Sequence, residues 1–62
     1  MMDNKQRHFM LLTTAKYGGS FYKALAKAAL LADVENLTKI LSAFRDIEAL
    51  YGPRSPLYSE DL

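Results

Sequence analysis

The chain has 62 residues, half of them hydrophobic, and a net charge of +1 at pH 7. That length allows one domain burying roughly 60% of its unfolded surface, so stability must come from close helix packing or from association. With no cysteine and a single histidine, His8, the chain has no means to build a disulfide, a thiolate zinc site or a histidine cluster.

The charge is unevenly placed. Residues 1–27 set Lys5, Arg7, Lys16, Lys23 and Lys27 against Asp3, a net +4, and the rest of the chain carries −3. Halves of opposite sign can attract within one chain or between two copies, and the basic half could also face phosphate or an acidic partner. A merely solvated surface is the ordinary outcome of such a pattern. No stretch reaches the ~18 apolar residues that span a bilayer. Phe9-Met10-Leu11-Leu12 is too short for a signal-peptide core, so a cytoplasmic location is expected.

Asp3 is placed to cap a first helix, with Gln6 at capping-box spacing, and the helix should run from Asn4 to Tyr17. Thr13 and Thr14 weaken it locally through lost rotamer freedom. Gly18 falls where a helix often takes a left-handed residue past its end, and Ser20 suits the N-cap of the next helix. That second helix is rich in Ala and Leu. Phe21, Ala24, Leu25, Ala28 and Ala32 share one face of it and Lys23 and Lys27 the opposite one, with Leu30 on the lysine side. Asp33 ends this helix and caps the next. From Val34 to Tyr51 the stripe Leu37, Ile40, Leu41, Phe44, Ile47, Tyr51 keeps a 3.6-residue period. Glu35 and Lys39 form a favourable i,i+4 pair, and Glu48, at the stripe's edge, calls for a basic partner such as Arg45. Gly52-Pro53 stops the helix. Residues 1–51 therefore form a helical domain and residues 52–62 an acidic tail with two prolines, from which Leu57 and Tyr58 could dock on the body or on a partner.

Gly18-Gly19-Ser20 invites chemical readings. A P-loop needs a preceding strand and a Gly-Lys-Ser/Thr ending, and both are missing. Ser20 and Lys23 match the Ser-x-x-Lys spacing of acyl-transfer enzymes without their companion motifs, and the chain offers little room for a cleft. Turn and cap chemistry accounts for all three residues. The stronger alternative is a DNA-binding helix-turn-helix with Phe21, Tyr22, Lys23 and Lys27 near the front of its reading helix. A reading helix usually offers Arg, Asn or Gln to base edges, and this one offers mainly Ala and Leu.

The spacing Gly18-Gly19-Ser20-Phe21, Ala24-Leu25-Ala26, Ala32-Asp33, Asn36 and Ala43-Phe44 resembles a group of small bacteriophage and prophage proteins over residues 17–44. In that group a proline often follows the Ala-Phe pair. This chain has Arg45 there, which leaves open whether the last helix breaks at Phe44 or runs to Tyr51. The resemblance implies a phage setting in the host cytoplasm, and no mechanism.

The expectation is an all-α protein of two or three short helices, a helix-turn-helix-like hairpin or mini-bundle that forms homo-oligomers. Phe9, Leu12, Phe21, Leu25, Ala28, Leu37, Leu41 and Phe44 should supply most of its core. With no catalytic constellation and no cofactor or metal set, the expected role is a non-enzymatic interaction module, in a phage setting an adaptor or an inhibitor of a host protein system. Partner contacts are assigned to Tyr22, Lys23, Lys27 and Leu30 on the second helix and to Tyr58 in the tail.

Overall fold

The computed structural model describes residues 2–62. Four helices follow in order: α1 (Asn4–Tyr17), α2 (Ser20–Leu31), α3 (Val34–Ala43) and α4 (Asp46–Tyr51). Among the described residues there is no strand. The all-helical class is as expected. The helix count is not, because the expected third helix is two.

Helix α1 is the hub, about 21 Å long at 1.5 Å per residue. The Asp3 side chain accepts from the Gln6 backbone N–H at 2.7 Å, and the Gln6 side chain accepts in return from Asp3 N–H at 3.2 Å. This reciprocal pair satisfies two groups that a helix start leaves orphaned. Helix α2 packs along one side of α1 and α4 packs on another. Squeezed from two sides, α1 buries Met10, Leu11, Thr13 and Thr14, one wide face that leaves Leu12 half-covered. The two threonines are fully buried and lose nothing by it. Thr13 donates its hydroxyl to the Phe9 carbonyl (2.7 Å) and Thr14 to the Met10 carbonyl (2.8 Å), so neither hydroxyl is left unsatisfied.

The core centres on Met10, Ile47 and Tyr51, with Tyr22, Leu25, Leu41, Phe44 and Tyr58 packed partly against it. This corrects the expected core. Phe21 and Ala28 are exposed, and Phe9, Leu12, Leu25, Leu37, Leu41 and Phe44 are only half-buried. The cause lies in α2, which is apolar on almost every side. Its phase is set by its neighbours, and it turns Ala26 and Ala29 inward rather than Ala24 and Ala28. Two alanines lie in the seam with α1, so α2 fully buries only small side chains; Tyr22, Leu25 and Leu30 are half-buried, and Phe21 and Leu31 are exposed.

The Gly18-Gly19-Ser20 corner also departs from expectation. No residue has a positive φ among those described, and Gly18 is extended. What Gly18 supplies is space. A Cβ there would lie 2.6 Å from the Cβ of Tyr22 and 2.8 Å from the Thr14 carbonyl oxygen. Gly19, not Ser20, is the N-cap of α2, and it has open space around it. Asp33 caps α3 as expected, accepting from Asn36 N–H at 3.0 Å.

The apolar stripe from Leu37 to Tyr51 survives, but its helix breaks. Phe44 leaves helical geometry (φ −119°, ψ 67°), and α4 restarts after Arg45. Helix α3 consequently contains no fully buried side chain, whereas α4 buries Ile47 and Tyr51. Glu48 is exposed and so requires no ion-pair partner.

Candidate interaction surfaces

Three surfaces have the composition to bind something: the outer face of α2, the docked tail, and a cleft lined by the start of α1, by α3 and α4, and by the turn after α4.

Along the outer face of α2, Phe21, Ala24, Ala28 and Leu31 recur at spacings of three, four and three residues and all are exposed. Phe21 is 59% and Leu31 88% accessible. Val34, just past the corner, is 74% accessible. Phe21 is steadied by edge-to-face contacts with Tyr22 (5.4 Å between ring centroids) and Phe44 (5.6 Å). Lys23 and Lys27 border the apolar strip on one side, both exposed.

The tail folds back over α1. Gly52 makes this possible because it is buried against the end of α4, where a Cβ would collide with the Glu48 carbonyl oxygen. The following turn is held by Ser55 N–H donating to Gly52 O (2.8 Å) and by the Ser55 hydroxyl donating to Leu50 O (2.5 Å). Tyr58 then lies against the core and donates to Glu60 Oε2 at 2.6 Å, while Lys5 reaches Glu60 Oε1 at 3.4 Å. Desolvation, with the Glu60 bond second, pushes the Tyr58 phenol up to about 12. The same hydrogen bond, helped by Lys5, holds the Glu60 carboxyl below its ordinary range.

The five residues assigned to partner contact are not brought together. Lys23 and Lys27 do share an exposed face. Tyr22 does not stand on that outer face. It is half-buried against the core, and its hydroxyl donates to Asp46, which raises its pKa. Leu30 is half-buried, lining a small cavity of about 180 Å³ with Leu11, Ala29 and Leu37. Tyr58 is spent on docking the tail.

The cleft was not anticipated from the sequence. It measures about 1140 Å³ and lies among the start of α1, the α3–α4 junction and the turn after α4. Arg7, Arg45 and Arg54 all line it. These are the only arginines in the chain, and none of the five lysines lines the cleft. They are 38 and 9 positions apart, so no local pattern announces them. Leu41 and Pro53 contribute an apolar floor, and Glu48 is the one acidic group. The two ion pairs among the described residues, Lys5–Glu60 and Glu35–Lys39 (3.9 Å), engage no arginine. Arg7 donates a hydrogen bond to the neutral side chain of Asn4.

No group of three or more His, Asp or Glu side chains is arranged to hold a metal among the described residues, and no helix is long and apolar enough to cross a membrane. No protein-family model matches this chain, and no curated protein or solved structure is significantly similar to it.

Proposed function

We propose that the protein is a small non-enzymatic interaction module that pairs with a second copy of itself through the outer face of α2. The observation that carries this reading is the bare apolar strip of Phe21, Ala24, Ala28 and Leu31 on a helix whose opposite side already packs on α1. A helix apolar on both sides is ordinarily covered on both. The strip is self-complementary when two copies run antiparallel. Phe21 of one copy then faces Leu31 of the other, and Ala24 faces Ala28, each pair being symmetric about Ala26. Large residues close the two ends and alanines let the helices approach at the centre. Charge agrees with that orientation. The α2 entry carries exposed Lys16 and Lys23 and its exit exposed Asp33 and Glu35, so each basic end meets an acidic one.

The resemblance to small phage and prophage proteins supplies a setting for the module: an adaptor or inhibitor that engages a host protein in the host cytoplasm. The helix-turn-helix alternative draws no support from this face, whose exposed residues are Lys, Phe, Ala, Leu and Ser, without base-reading Arg, Asn or Gln.

Sedimentation velocity at high micromolar concentration tests the reading. The wild-type chain is expected to run as a dimer, and Leu31→Glu as a monomer with an unchanged helical circular dichroism spectrum. A wild-type monomer, or a Leu31→Glu dimer, overturns it.

A further inference from the structure

We infer that the cleft holding Arg7, Arg45 and Arg54 is a binding site for an acidic, partly apolar peptide segment of a partner protein. The first ground is that all three arginines line this cleft and no lysine does, Arg7 lining the smaller cavity as well. A guanidinium presents a planar fork that pairs two-point with a carboxylate, which an ammonium cannot do. The three come from three separate elements and are positioned by the fold. Arg7 ends the first turn of α1, Arg45 sits at the break between α3 and α4, and Arg54 is on the turn pinned by Gly52 and Ser55. No carboxylate of this chain forms an ion pair with them among the described residues, so their charge is unspent.

Shape and lining choose among anions. About 1140 Å³ exceeds the ~300–1,000 Å³ typical of small-molecule pockets and suits a length of polypeptide. The floor is apolar, with Leu41 and Pro53, and asks for apolar side chains between the carboxylates. Thr38 and Ser42 on α3 add neutral hydroxyls at the rim. A nucleic-acid strand would want aromatic platforms for its bases, and no aromatic residue lines the cleft. Glu48 would oppose a dense phosphate cluster more than a spaced row of carboxylates. No α2 residue lines the cleft, so this site and the self-pairing of α2 stand or fall separately.

Fluorescence anisotropy with a labelled dodecapeptide alternating two Glu with two Leu tests the inference, alongside the same peptide with Gln for Glu, an oligothymidylate and inorganic tripolyphosphate. The expected result is saturable binding of the Glu peptide, at least tenfold weaker binding of the Gln peptide, and a tenfold or greater loss in the Arg45→Gln/Arg54→Gln variant. That variant should keep its helical spectrum and its sedimentation coefficient, and Leu31→Glu should bind the peptide like wild type. Equal binding of the Glu and Gln peptides, undiminished binding by the double variant, no binding, or tighter binding of the oligonucleotide or tripolyphosphate would each overturn the proposal. So would dissociation of the dimer by the double variant, since the arginines would then belong to the self-interface.

Discussion

Helix α1 with α4 and the tail, and the α2–α3 corner, are built from similar residues to opposite effect. In the first region Met10, Ile47 and Tyr51 are buried, two threonine hydroxyls are satisfied within the helix, and the tail covers the seam. In the second, α3 buries nothing fully, and Phe21, Leu31 and Val34 stand in solvent. Apolar content alone does not make a core. Contact with α1 does: α2 and α4 each bury residues where they pack on it, whereas α3, which packs chiefly on α2, buries nothing fully. The corner leaves its large apolar side chains in solvent, where the proposed pairing of α2 would cover Phe21 and Leu31.

The sharpest way to break this contrast is a cavity in the first region. Ile47→Ala should cost about 2–5 kcal/mol, as large-to-small core changes do. A stable domain of this size has roughly 3–9 kcal/mol in all, from ~0.05–0.15 kcal/mol per residue, so a large share of its stability is at stake. Urea unfolding should show a collapse of the midpoint, while Leu31→Glu, in the other region, should leave the unfolding of the monomer nearly unchanged. Equal losses at the two sites would erase the distinction.

A finer comparison lies within the glycine pair. Gly18→Ala pushes a methyl against Tyr22 and the Thr14 carbonyl and should cost about 1–3 kcal/mol. Gly19→Asp meets open space, adds a capping carboxylate at the start of α2, and should gain about 0.5 kcal/mol. Thermal unfolding of both variants checks the opposite signs.

The smallest effect concerns the tail. The Glu60 carboxyl is lowered in the folded state, so its contribution to docking is complete above the ordinary value of 4.5 and fades as pH falls through the lowered value. Tyr58 is raised, so its contribution is complete below 10.0 and fades as pH climbs toward about 12. Amide exchange at Ser59, whose N–H points at the Thr13 hydroxyl (3.4 Å), should accelerate at both extremes before the helices melt. A flat profile down to acid unfolding would mean that apolar packing of Tyr58 alone holds the segment.

Much of the local structure is legible in the sequence because its causes are local. The limits of α1, its Asp3–Gln6 box, the Asp33 cap and the Glu35–Lys39 pair each depend on residues within four positions of one another. What fails to show is anything set by neighbours in space. The inward face of α2 is ambiguous because alanines and leucines surround the axis, so a face offset by about a quarter turn has the same apolar content. The break at Phe44, an open alternative from the resemblance, is not signalled by periodicity because the stripe continues through it into α4. Thr13 and Thr14 read as weak helix formers, and their burial follows only from α1 being covered on two sides. The arginine cleft draws on three elements and leaves no signature in spacing.

Helix α3 is fastened by its cap and by half-covered side chains, with no anchor sunk into the interior. It is therefore the segment with the least to lose by shifting, and its Thr38, Leu41 and Ser42 line the cleft. A guest seated there would act as a missing keel, tying α3 to the rigid α1. A free guest at 100 times its dissociation constant adds about 2.7 kcal/mol to the stability of the folded state, and slowed exchange of the α3 amides would report that occupancy before any change elsewhere.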